Sequence, residues 1–142
     1  MPGCCYINPV IDSNNPDPSA IALPTGGYLA VATSNLATDV ATEPAFPIYF
    51  SPDLVAWELQ GHVFPPGGWP VWCDRNMWAP EIHHVNGRFL AYFSCAAPNG
   101  RHSVGVAVSQ TDSHLGPYVD IGVPLVYHNE VDQRAVLPSF PP

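Results

Sequence analysis

Basic residues are scarce. Lys and Arg together number 4 against 12 Asp and Glu, a formal net charge of −8 over 142 residues. A surface of that sign repels phosphate, which argues against nucleic acid and anionic membrane as partners and leaves a neutral ligand indifferent. Long apolar runs are also missing. Although 46% of the chain is hydrophobic, nothing approaches the roughly 18 consecutive apolar residues of a membrane span. The opening MPGCCYINPV has neither the basic nor the apolar region of a secretory signal, so it does not decide localisation. Cys4, Cys5, Cys73 and Cys95 lack zinc-type spacing. Cys73 and Cys95 stay open to two readings, an oxidised pair or buried thiols. The histidines (His62, His83, His84, His102, His114 and His128) show no metal-ligand spacing. On a strand, His83 and His84 would face opposite sides.

Helical periodicity is almost absent, and what replaces it repeats. The 18 prolines are spread between short stretches rich in Val, Ile, Tyr and Phe, the pattern of consecutive antiparallel strands. GGYLAVATS (26–34) parallels NGRFLAYFS (86–94): a turn glycine, an aromatic, Leu-Ala, alternation, then Ser. FPIYFS (46–51) and HSVGVAVS (102–109) follow, each ending in Ser and leading to a further aromatic segment, PDLVAWELQG and GPYVDIG. Gly27 and Gly87 are 60 positions apart, and Ser51 and Ser109 are 58 apart.

Three or four strands recurring at that period make one blade of a β-propeller. A sandwich would not be expected to repeat a whole strand-turn-strand unit. The expected architecture is all-β, with blade one over about 16–65, blade two over about 76–127 and the start of a third over 128–142. Closed propellers have about four to eight blades, so the chain reads as the front part of a larger protein.

Before the first strand lies Asn15-Pro16-Asp17-Pro18. Each X-Pro pair biases its first residue toward extended or turn geometry, and neither proline can donate to a ladder. Read locally, Asp17 is either a turn residue capping its own backbone or a carboxylate aimed by a stiff connector.

NPVIDSNNPDPSAIALPTGGYLAVATSN, FPIYFSPDLVAWELQG, WAPEIHHVNGRFLAYFS, VGVAVSQTDSHLGPYVDIG and NEVDQ, in this order, resemble the glycoside hydrolases of family 43. The resemblance runs from about Asn8 to Asp132. It implies a five-bladed propeller that hydrolyses glycosidic bonds in arabinose- or xylose-containing polysaccharide with inversion. One carboxylate activates water while a carboxylic acid protonates the leaving oxygen. It places Asp17 at the general base and Asp132, in Glu130-Val131-Asp132-Gln133, at the carboxylate that adjusts the acid's pKa. Gln133 departs from the family's usual Ile-Asp-Pro. The general acid, a glutamate from a later blade, has no counterpart here, since Glu130 would face away from the side Asp132 faces. The isolated chain is accordingly expected to be inactive.

The resemblance also makes Trp78 an aromatic lining the sugar site, with Trp72 bordering the pocket and Phe46 offering an apolar wall; core packing is the competing role for Trp78 and Phe46. Glu81 is expected to make a structural hydrogen bond within its blade, and Trp57 and Tyr118 to lie in the core. Asn14 or Asn15 is expected to form an Asx turn beside Asp17. No cofactor is expected; a calcium ion at the propeller axis, known in some relatives, has no assignable ligands. The expected partner is an oligo- or polysaccharide, with self-association through open strand edges as a further expectation. The family points to an extracellular location. The alternative reading is a non-catalytic carbohydrate-binding or interaction module.

Overall fold

A computed structural model describes residues 6–34 and 40–127. Asp132, Glu130, His128, Cys4 and Cys5, with the third-blade segment, lie outside the described residues. Among the described residues nine strands run in chain order: β1 (Ser19–Ala22), β2 (Tyr28–Val31), β3 (Ala45–Ser51), β4 (Glu58–Phe64), β5 (Arg75–Val85), β6 (Arg88–Ala96), β7 (His102–Ser109), β8 (Tyr118–Asp120) and β9 (Val126–Tyr127). They form two antiparallel sheets. Sheet one has the order β1-β2-β3-β4; sheet two has the order β5-β6-β7-β8, with β9 pairing on β7 beyond the end of β8. The sequence repeat and the sheets coincide, β2 with β6, β3 with β7 and β4 with β8.

The turns explain why the strands stop where they do. Asn86 and Gly87 both take positive φ, 50° and 77°, the backbone of the two-residue hairpin whose twist suits its flanking strands, and Val85 pairs with Arg88 across it. In sheet one Gly27 (φ 79°) does a second job. A Cβ there would come within 2.7 Å of the Phe50 ring. The serines of the repeat, Ser51 and Ser109, are fully buried and hold the turns after β3 and β7. Ser51 Oγ accepts the Leu54 amide at 2.8 Å. Ser109 Oγ accepts the Phe89 amide at 2.8 Å and donates to the Thr111 carbonyl at 2.8 Å.

Between the sheets, Phe46, Phe64 and Phe93 meet with ring centroids 5.2 to 6.0 Å apart, around Leu29, Ile48, Met77 and Ile82. Tyr118 joins this core as expected. Trp57 does not: it lies half-buried in the turn before β4, and its indole N–H donates to the Leu54 carbonyl at 3.0 Å. Its role is to close a turn, not to fill the core. Cys73 and Cys95 form a disulfide, which settles the alternative the spacing left open and ties the segment before β5 to β6.

β5 is not regular. Arg75 pairs with Ala96, Trp78 with Ser94 and Glu81 with Tyr92, so each interval has three residues on β5 against two on β6. These are two bulges, one on either side of Trp78, and Asn76 (φ 58°) and Ala79 (φ 48°) supply their left-handed backbone. The bulges re-aim the strand there and leave Trp78 45% exposed. β1 and β5 are the neighbouring strands of the two sheets, linked by Ser19 Oγ accepting the Ile82 amide at 3.3 Å.

Candidate active site

Asp17 is an exposed residue two positions before β1. Its φ is +52°, a left-handed conformation that Asp tolerates better than most residues but not the extended one its following proline favours. Two bonds from the end of β2 hold it. The Thr33 amide donates to the Pro16 carbonyl at 2.9 Å, and the Thr33 hydroxyl donates to Asp17 Oδ2 at 3.0 Å. Thr33 also reaches the other sheet, its Oγ1 accepting the Ala79 amide at 2.8 Å. The next residue repeats the device, as Ser34 Oγ accepts the Phe46 amide at 2.7 Å.

Asp17, Ala79 and Phe46 are three of the positive-φ non-glycine residues (φ 52°, 48° and 61°). Such conformations cost of order 1–3 kcal/mol each and persist where surrounding structure over-determines them, often at functional sites. Here the surrounding structure is Thr33-Ser34. No local signal in the sequence marks this pair; they are the final Thr-Ser of GGYLAVATS.

Trp78 stands beside this cluster, adjacent to Ala79. Its indole stacks on the His102 ring, centroids 5.0 Å apart and planes 28° from parallel, and the Asn76 side-chain amide lies 3.3 Å from His102 Nε2. The exposed aromatic is thus backed by β7 and lies outside the core.

The other sequence-derived candidates fall elsewhere. Phe46 is fully buried among Phe64 and Phe93, so its ring offers no wall to a ligand; β3 carries it into the space between the sheets. Trp72 stacks on Phe93 at 5.9 Å, and its indole N–H donates to Asp120 Oδ2 at 3.0 Å. It and Trp78 lie against opposite faces of sheet two. Alternate residues of β7 face opposite ways, with His102 under Trp78 on one side and Gly105 against Trp72 on the other. Trp72 instead walls a separate cleft of about 330 Å³ with Arg101, Ser103, Pro124 and Tyr127.

Asn15 makes no Asx turn. Its side-chain amide donates to Ser13, and its Oδ1 accepts the Tyr49 hydroxyl at 3.0 Å. With Asn14, Ser34, Tyr49 and His62 it borders a hollow of about 260 Å³ next to the Asp17 connector. Burial lowers the pKa of His62. Glu81 bonds His83 Nε2 at 2.9 Å along an exposed stretch of β5. No group of three or more His, Cys, Asp or Glu among the described residues is arranged to hold a metal ion, and no helix there is long and apolar enough to cross a membrane.

Comparison with known proteins identifies the family. The profile of the family described as "Glycosyl hydrolases family 43" matches residues 6–133, and the chain belongs to that family. It is 30% identical over 120 residues to the non-reducing end alpha-L-arabinofuranosidase BoGH43B of Bacteroides ovatus, a match covering 81% of this chain and 21% of that protein. It is 32% identical over 85 residues to the extracellular exo-alpha-(1->5)-L-arabinofuranosidase ArbA of Cellvibrio japonicus, covering 54% of this chain and 24% of that protein. Among solved structures, a thermostable family-43 glycoside hydrolase superposes with a TM-score of 0.69 at 30% identity, over 85% of this chain and 36% of that one. The GH43_1 enzyme from Xanthomonas citri, complexed with xylotriose, gives 0.67 at 27% identity, over 82% and 35%. The chain therefore spans between about a fifth and a third of the length of these relatives. Its two antiparallel sheets are part of the β-propeller architecture those structures share.

Proposed function

We propose that this chain carries the base-bearing part of a family 43 glycoside hydrolase that cleaves arabinose- or xylose-containing polysaccharide with inversion. In this reading Asp17 is the general base that activates water, and Trp78 packs against the C–H face of the sugar. One observation carries the proposal. Thr33 bonds both the Asp17 carboxylate and the backbone next to Trp78, so a strained carboxylate and an exposed aromatic are tied together where β1 and β5 adjoin. Asp132 would adjust the pKa of the acid, which a glutamate outside these two sheets would supply. The sheets themselves correspond to blade one and blade two. The arabinofuranosidase names of the relatives and the xylotriose complex support a pentose-containing substrate.

The test combines binding and turnover. Purified chain is titrated with arabinotriose and xylotriose, then assayed on nitrophenyl arabinofuranoside and xyloside, whose leaving group needs little acid assistance. The expected result is saccharide binding that Trp78→Ala removes, with any turnover abolished by Asp17→Asn. Turnover that survives Asp17→Asn, or failure to bind either trisaccharide, would sink the reading. Binding that depends on Trp78 but is unaffected by Asp17→Asn, with no turnover even after the remaining blades are supplied in a longer chain, favours the carbohydrate-binding alternative.

A further inference from the structure

We infer that Thr33 is a positioning residue: its hydroxyl aims the Asp17 carboxylate and locks that aim to the backbone carrying the Trp78 platform. This rests on the reading of Asp17 as general base and Trp78 as sugar platform, and adds what holds the two in register.

The argument is one of hydrogen-bond accounting. A threonine hydroxyl has one proton and two lone pairs. The Ala79 N–H points at Oγ1 from 2.8 Å and occupies a lone pair, so the single proton is left for Asp17 Oδ2 at 3.0 Å. The hydroxyl cannot turn away without leaving a strand amide unsatisfied, and Thr33 is itself only 6% exposed. The direction of the bond to Asp17 is thereby set from the second sheet. One lone pair of Oδ2 is thereby engaged, and the orientation of the carboxylate is fixed by that bond.

The backbone conformations agree with this division of labour. Asp17 and Ala79, the two residues Thr33 holds, are both left-handed, and so is Phe46, which Ser34 holds. Three irregular backbone points on three segments are each pinned by one of two consecutive hydroxyls. Ala79 closes one of the bulges that turn Trp78 outward, so the hydroxyl that orients the carboxylate also fixes the bulge beside the platform. Preorganisation of this kind, with a supporting residue fixing the group that acts, is how sites hold productive geometry.

The experiment is NMR on the 142-residue chain, following the Asp17 carboxyl carbon and the amides of Ala79 and Phe46. In Thr33→Val, which keeps the shape and removes the hydroxyl, the Asp17 carboxyl resonance should move. The Ala79 amide should exchange about tenfold faster, the worth of one net hydrogen bond. Thr33→Ser should hold both at their wild-type positions, and Phe46 exchange should respond to Ser34→Ala instead. The inference is overturned if Thr33→Val leaves both signals unchanged, or if Thr33→Ser fails to restore them. Should Thr33→Val not fold, the wild-type chain still decides: a slowly exchanging Thr33 hydroxyl proton close to the Ala79 amide is required, and its absence overturns the inference. An intact signature in a chain that binds neither arabinotriose nor xylotriose would count against the glycosidase reading and not against the hydroxyl's placement.

Discussion

The Trp78 indole rests on the His102 imidazole, ring centroids 5.0 Å apart, although the two residues belong to strands separated by β6. Neither neighbour in the chain makes this contact. It arises because Trp78 pairs with Ser94, which pairs with Val104, bringing one row of β5, β6 and β7 side chains onto the same face. His102 then backs the exposed aromatic from below.

Removing that support should weaken saccharide binding without abolishing it. Aromatic pairs of this kind are worth about 0.5–1.5 kcal/mol beyond area burial, so His102→Ala should raise the dissociation constant for xylotriose by about two- to tenfold. Isothermal titration checks this. An unchanged constant would mean that Trp78 holds its orientation without the imidazole.

The Cys73–Cys95 disulfide closes a loop with a sequence separation of 22, and Cys73 directly follows Trp72. Chain-entropy arguments assign a loop of that length about 3 kcal/mol. A Cys73→Ala, Cys95→Ala chain should lose about that much stability by urea unfolding, and wild type in reductant should shift the same way. Equal midpoints with and without reductant would refute the cross-link's contribution.

Gly105 has no room for a side chain. A Cβ there would come within 2.6 Å of the Trp72 ring and 2.7 Å of the Phe93 ring, both rigid aromatics stacked on each other. Gly105→Ala should therefore cost about 1–3 kcal/mol, the usual penalty for overpacking a core. A thermal midpoint indistinguishable from wild type would show that the stack yields.

Stability should fall on mild acidification. His114 sits between Phe50 and Phe89, ring centroids 6.4 and 6.1 Å away, and burial lowers its pKa, as it does for His62. Below the ordinary value of 6.5 the unfolded chain takes up protons that the folded chain still refuses, so stability drops as pH falls. Above that value these groups add no pH dependence. Asp53 acts in a separate, more acid window. Its carboxylate accepts the Ala56 and Val55 amides, which lower its pKa, so its stabilisation is lost only as pH falls through and below 3.8. Urea midpoints measured from neutral pH downward should decline first below 6.5, and less steeply in His114→Phe. A flat profile through that range would contradict the assignment.

Much of this was legible in the residues. The Gly27/Gly87 and Ser51/Ser109 spacings mark the two sheets because strand alternation and positive-φ turns leave local chemical traces: a glycine where φ is positive, a serine whose hydroxyl holds the turn after a strand. Asp17 stands out between its prolines for the same reason. Trp57 misled because aromatic content alone does not distinguish an outer strand from the turn before it, where an indole can bond a nearby carbonyl. Phe46 stayed open between wall and core because its place between Phe64 and Phe93 depends on how one sheet lies on the other.

Thr33 had no such trace. Its partners are 16 and 46 positions away, and a hydroxyl at the end of a strand looks the same whether it meets solvent or a carboxylate. The bulges around Trp78 are equally silent, since nothing in Arg-Asn-Met-Trp-Ala-Pro says that three residues will pass opposite two. Composition and periodicity act over a few residues and so establish strands, turns and the repeat. Which side chains face each other across two sheets depends on register and packing between distant segments, and that is where the carboxylate, the hydroxyl and the exposed aromatic were brought together.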